Sequence, residues 1–189
     1  MPSALSIRDR RLLEAAEGYL TLGLPENALE SLNSVRAPQA ALFEFHYLKG
    51  QIRREQLRHF DALEEFDIAF SNNPDDVSLL MAMAWCYKRT NQLPRAITSM
   101  EMAHRIAPRD ALIQYNLSCY LSLAGNTHEC LRWLGRALRL DRDFRILIDN
   151  ETDFDPIRKD KDFRRLLKMF DEDPQASSDT KRGGKYDIS

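Results

Sequence analysis

A skeleton of small and large apolar residues recurs along this chain at a spacing of 34 positions. The stretch DALEEFDIAFSNNP (61–74) aligns with RAITSMEMAHRIAP (95–108), setting Ala62 over Ala96, Phe66 over Met100, Ala69 over Ala103 and Pro74 over Pro108. One more step in each direction adds Ala28 and Cys130 to the first column, Leu32 and Leu134 to the second, and Val35 and Ala137 to the third. Upstream, a further small column holds Ala16, Gly50, Ala84 and Ser118. Such a period describes a supersecondary unit that cannot bury its apolar face alone and must stack on its neighbours.

Each unit reads as a helical hairpin. Leu12, Ala15, Ala16 and Tyr19 are spaced i, i+3, i+4, i+7, the stripe of an amphipathic helix, and Leu80, Met83, Ala84 and Tyr87 repeat it. Gln114, Leu117, Ser118 and Leu121 keep the spacing with polar members. Breakers mark turns at LGLPEN (22–27), TNQLPR (90–95) and AGNTHE (124–129). Pro25 and Pro94 sit where a second helix begins, a position that tolerates proline, and Pro74 and Pro108 follow second helices. Gly (7) and Pro (8) are scarce, as a helical design requires.

These columns resemble the tetratricopeptide repeat family, whose unit has this length and this order of small and bulky positions. The resemblance implies an all-α fold, a right-handed α-solenoid of four hairpins over residues 8–142. The repeats fall at about 8–40, 41–75, 76–109 and 110–142, after an N-terminal extension at 1–7. Three departures stand out. Pro38 lies two residues before its register, and Arg142 replaces the proline of repeat four, so the second helix there is free to end differently. In repeat two, Phe45, Leu48 and Ile52 fit the first helix only if the turn near Glu55–Leu57 carries one extra residue.

A stack of hairpins exposes an apolar end that needs a cap. Phe144, Leu147 and Ile148 begin one, and Asp155-Pro156 reads as a helix start leading to Phe163, Leu166, Leu167 and Phe170 at helical spacing. Residues 143–170 are therefore expected to be capping helices. DFDPIRKDKDF also resembles the segment that ends many bacterial tetratricopeptide arrays, which implies a bacterial origin. The polar stretch 171–189, with Gly183-Gly184, is expected to be disordered.

A formal charge of −2 supplies no basic field for nucleic acid. The longest apolar run, LLMAMAWCY (79–87), is too short to insert in a membrane, where about 20 residues are needed. The N-terminus lacks the pattern of a secretory signal, and Cys86, Cys119 and Cys130 read as reduced thiols, so a cytoplasmic location is expected. The alternation Asp149, Glu151, Asp153, Asp155 suggests a calcium loop. Phe154 and Asp160 occupy the places where such a loop needs glycine and glutamate. His46, His59, His104 and His128 show no paired-ligand spacing, so no metal is expected. His128 near Cys130 hints at a base and nucleophile, but Cys130 occupies a small-residue column. With no phosphate loop and no nucleophile elbow, the chain reads as a non-enzyme without cofactor.

In tetratricopeptide arrays the first helices line a concave groove that receives a partner segment. The resemblance places there Leu13, Glu17, Met81, Trp85, Lys88, Arg89, Tyr115, Asn116 and Cys119. Repeat two adds His46, Tyr47, Gly50, Arg53 and Arg54 in the shifted register. Trp85 and Tyr115, with Tyr47 beside them, are the expected aromatic anchors, and Arg53, Arg54, Lys88 and Arg89 the expected charged edge. The places that hold a carboxylate in the chaperone-tail binders carry Leu13, Glu17, Tyr47 or Leu48, Ser78 and Ala82 instead, so that function is not supported. The leading expectation is an adaptor or scaffold that binds a protein or peptide with apolar and acidic residues. A secretion-type chaperone and a self-assembling structural subunit stand as alternatives.

Overall fold

The computed structural model describes residues 5–172, and within them every regular element is helical. Four hairpins follow one another: α1 (Ile7–Thr21) with α2 (Pro25–Asn33), α3 (Leu42–Glu55) with α4 (His59–Asn72), α5 (Val77–Arg89) with α6 (Leu93–Ile106), and α7 (Ala111–Leu123) with α8 (Thr127–Leu140). After them come α9 (Phe144–Ile148), a 3₁₀ turn (Thr152–Ile157) and α10 (Lys161–Asp171). Residues 173–189, most of the stretch expected to be disordered, lie outside the described residues.

The period is visible in the backbone itself. First helices end at Thr21, Glu55, Arg89 and Leu123, and second helices begin at Pro25, His59, Leu93 and Thr127, each 34 positions after the last. The turn between them contains one residue with positive φ in every unit: Gly23 (69°), Leu57 (59°), Asn91 (57°) and Gly125 (73°). That register leaves no room for an extra residue near Glu55–Leu57, so the shift expected in repeat two is corrected. The stripe that suggested it has another explanation. Phe45, Leu48 and Ile52 pack back on Leu13, Ala16, Ala28 and Leu32 of the first hairpin, whereas Tyr47 packs forward on the core of repeats two to four. A first helix carries two apolar faces, and only one follows the column pattern.

Leucine at a left-handed position is strained, by about 1–2 kcal/mol relative to glycine's free choice. Leu57 is 75% exposed, so its side chain gives little packing in return. Leu57→Gly is expected to stabilise the protein by up to about 1 kcal/mol after glycine's larger unfolded-state entropy is deducted. Thermal melting checks this, and a lower Tm would show that the Leu57 side chain contributes more than the strain removes.

Every position of the four columns is buried. Phe66, Met100, Leu32 and Leu134 are fully enclosed, and Gly50 admits the Phe66 ring so closely that a Cβ there would lie 2.3 Å from Phe66 Cε1. Helix entry follows the capping residues: Ser6, Asp76, Asp110 and Asn126 accept backbone N–H bonds at the starts of α1, α5, α7 and α8. Despite Arg142, α8 ends at Leu140, in register with Asn72 of α4 and Ile106 of α6.

The closing segment departs from its expected form. Pro156 lies inside the 3₁₀ turn, and Asp155 is held by Arg158, whose Nε donates to Oδ1 at 2.6 Å. Asp160 caps α10 instead, accepting from Asp162 N (2.8 Å) and Phe163 N (3.0 Å). Phe144, Ile148, Phe154, Ile157 and Phe163 join the core of the fourth hairpin, and Leu166, Leu167 and Phe170 pack against it.

Candidate functional site

Unit spacing defines which side chains share the concave face. One column reads Glu17, Gln51, Trp85 and Cys119, a second Leu13, Tyr47, Met81 and Tyr115, and a third Leu20, Arg54, Lys88 and Ser122. In repeat four all three positions are buried: Tyr115 at 0%, Cys119 at 2% and Ser122 fully covered. The chain's own 3₁₀ turn covers α7 there. Tyr115 stacks on Phe144 with centroids 4.7 Å apart and meets the Phe154 ring edge-on at 5.9 Å. Burial pushes the Tyr115 hydroxyl and the Cys119 thiol well above their ordinary pKa values.

Tyr115 is therefore a core residue, not an anchor for a partner, and Cys119 likewise faces the protein's own closing segment. Lys88 is also engaged. Its Nζ donates to Asp153 Oδ2 at 2.6 Å and lies 5.5 Å from the Tyr120 ring centroid. Sequence spacing places Lys88 on the groove, but no local pattern announces that Asp153, 65 residues later, folds back to it. Asn116 is half-buried on α7.

Repeat two needs further corrections, all from the register. Gly50 faces Phe66 inside the hairpin. His46 turns to α4, where its Nδ1 lies 2.7 Å from Glu65 Oε2 while Lys49 Nζ pairs with Oε1 at 2.7 Å. Burial alone would raise the Glu65 carboxyl, but the bonds from Lys49 and His46 prevail and hold it below its usual value. Arg53 is tied to the turn, its Nη1 donating to Gln56 Oε1 at 2.8 Å, and Gln56 in turn reaches Glu26 of the first hairpin at 2.7 Å.

What remains open lies on α1, α3 and α5. A shallow cleft of about 180 Å³ is lined by Glu17, Leu20, Tyr47, Gln51, Arg54 and Glu55. Gln51 Nε2 donates to the Tyr47 hydroxyl at 2.8 Å, which fixes both side chains in its wall. Trp85 is half-buried beside Arg54, whose guanidinium carbon lies 5.6 Å from the ring centroid, while that of Arg89 lies at 4.8 Å. His59 meets the same ring edge-on at 5.1 Å. Burial, then Arg89 and Arg54, depress the His59 pKa, so it is held in its uncharged form around neutral pH. The indole is thus held in a fixed plane by cation–π contacts, with part of its surface still accessible. Met81 lies one turn earlier on the same helix, half-buried against the core. Gln51 and Leu20 escaped the sequence reading, although the 34-residue columns contain both.

Chemistry other than binding finds little here. Cys86, Cys119 and Cys130 are free and buried, and burial pushes the Cys86 and Cys130 thiols up to about 12. A nucleophile must be a thiolate near neutral pH, so these thiols are inert. His128 is exposed beside Glu129 at 3.4 Å, away from the enclosed Cys130. Cys119, Glu151 and Asp153 bring three donor atoms within 4.8 Å of one another, but Lys88 occupies the Asp153 carboxylate. Among the described residues no helix is long and apolar enough to cross a membrane.

No protein-family model and no curated protein matches the sequence. Solved structures do. MamA (residue 41 to the end) from Desulfovibrio magneticus RS-1 superposes with a TM-score of 0.67 at 16% identity, covering 93% of this chain and 100% of that one. PilF of Pseudomonas aeruginosa gives 0.71 at 15% identity, over 86% of this chain and 73% of that one. YrrB, described as a TPR protein with an unusual peptide-binding site, gives 0.62 at 18% identity over 71% and 70%. Identities this low speak for the backbone alone. Together with the 34-residue helical hairpins, they show that this chain has the tetratricopeptide-repeat fold.

Proposed function

We propose that the protein is a non-catalytic interaction scaffold that seats a protein segment on the concave face of α1, α3 and α5, centred on Trp85. The observation that carries this reading is the contrast along one face. Repeat four's concave positions are sealed by the closing segment, whereas Trp85 keeps accessible surface between Arg54 and Arg89 beside an open cleft. Ring and guanidinium groups of this kind dominate binding energy at protein interfaces. The partner segment carries an apolar side chain for Trp85 and Leu20 and acidic groups for Arg54 and Arg89. The peptide-binding site of the structural neighbour YrrB supports the general mode. The buried, unbridged cysteines suit a reducing, cytoplasmic setting.

Peptides selected from a displayed random library on the full chain supply the probe. Trp85→Ala is expected to weaken the selected peptide by roughly 30-fold, the equivalent of about 2 kcal/mol. Arg54→Gln should weaken it less, because half-buried Arg54 already pairs with Glu55 Oε1 at 3.0 Å and the attraction it adds is screened by salt. Circular dichroism must first show that Trp85→Ala is folded. Unchanged affinity in that folded variant moves the site off the concave face.

A further inference from the structure

A second concavity lies away from the groove, where the α6–α7 connection approaches the last turns of α8. It measures about 290 Å³, and its walls carry Arg109, Arg136, Arg139 and His104, with Pro108 and Leu140 as apolar surface. No carboxylate lines it. That is unusual in a chain where acidic residues outnumber basic ones, 29 to 27. Among the described residues Arg109, Arg136 and Arg139 form no ion pair and no side-chain hydrogen bond, whereas the adjacent Arg132 is paired with Glu129. The helix dipole accounts for a cation in the last turn of α8, such as Arg139, but not for Arg109 or Arg136.

Arg136 is held in place. Its guanidinium carbon stands 4.8 Å over the Trp133 ring, and His104 meets the same ring edge-on at 4.6 Å. Gln114 closes the floor: it is 4% exposed, its Nε2 donates to Pro108 O at 2.8 Å, and its Oε1 is buried without a partner. Two arginines from one helix and one from the facing connection thus present their donors around a single opening.

We propose that this cleft is a second docking point, for an acidic segment of a protein partner. All three arginines are exposed, so a lone inorganic anion would stay hydrated there and gain little. An acidic segment engages all three cations at once, lays apolar side chains on Pro108 and Leu140, and excludes water from each Arg–carboxylate pair. Among the described residues most acids of the closing segment are engaged elsewhere. Asp149 and Asp171 pair with Arg145, Asp153 with Lys88, Asp155 with Arg158 and Glu172 with Lys168, while Glu151 and Asp160 accept backbone N–H bonds.

The full chain, titrated with a fluorescein-labelled Glu-Glu-Leu-Glu-Glu-Leu peptide, tests this. The Arg136→Gln/Arg139→Gln double variant is expected to weaken binding about 10-fold or more at low salt, since each lost charge acts on attraction that salt screens. Because Arg136 also packs on Trp133, melting must accompany that variant. Arg109→Gln, in the connection, removes charge without that packing and should cost about 3-fold on the same grounds. The same titration in the folded Trp85→Ala background removes the groove's share of binding, and the arginine effects should persist there, which separates the proposal from the groove reading. Three results overturn it: equal binding by the folded arginine variants, equal binding of the glutamine version of the peptide, or disappearance of the arginine effects in the Trp85→Ala background. Displacement of the peptide by inorganic phosphate at a concentration no higher than the peptide's own Kd also overturns it, in favour of a small-anion site.

Discussion

A chain ending at Glu151 is expected to lose the fourth hairpin, while one ending at Glu172 melts like the full protein. The shorter chain lacks Phe154, Ile157 and Phe163, each buried against the fourth hairpin. Burial of such a side chain is worth roughly 1.5–3 kcal/mol, against a whole-domain margin of about 5–15 kcal/mol, although part of the loss is offset by the segment's ordering entropy. In a stack where each unit leans on its neighbours, the deficit falls on the last one. Truncation also uncovers Tyr115 and Cys119 and leaves Lys88 without Asp153. Hydrogen exchange reads the outcome locally: amides of α7 and α8 should lose protection first, and those of α1–α4 last. Phe154→Ala at full length tests the same packing and is expected to cost about 3–5 kcal/mol. Equal melting of the two truncations would show that the turn at Thr152–Ile157 merely rests on the array.

That turn also marks where the sequence stopped being informative. Column positions were readable because a repeat forces the same burial on equivalent residues, and every one of them is buried. The identity of the groove was readable only in part. A concave position in an inner unit faces open space, but the same position in the last unit faces whatever follows. Tyr115 and Trp85 are of one chemical kind and both sit on first helices, yet one is enclosed by Phe144 and Phe154 and the other lies half-open beside Arg54 and Arg89. Only the path of residues 144–157, which the 34-residue period does not govern, decides between them. The engagement of Lys88 by Asp153 is hidden from the sequence for the same reason. The register of repeat two failed for a different one: Leu57 occupies a left-handed turn position that Gly23, Asn91 and Gly125 fill without strain. A leucine there disguises the turn.

Gly50→Ala is expected to destabilise the protein, although glycine inside a helix is ordinarily the weaker choice by about 0.5–1 kcal/mol. The new Cβ would stand 2.3 Å from Phe66 Cε1 and 2.4 Å from Cδ1, well inside contact distance. Phe66 has no accessible surface and packs beside Tyr47, their centroids 6.1 Å apart, so the ring cannot swing aside without moving its neighbours. Overpacking of this kind costs about 1–3 kcal/mol, which outweighs the helix-propensity gain. The columns explain the need for glycine here. Phe66 is the bulkiest residue of the large column, and Gly50 is the smallest of the small one, so their combined volume matches a fixed space between α3 and α4. Phe66→Leu alone should cost stability by opening a cavity. Combined with Gly50→Ala it should cost less than the sum of the two, because each change relieves the other. A double-mutant cycle by chemical denaturation measures that coupling, expected at about 1 kcal/mol or more for groups in direct contact. Additive losses, or a Gly50→Ala protein as stable as the parent, would mean that α3 and α4 separate freely and that the small column does not set their spacing.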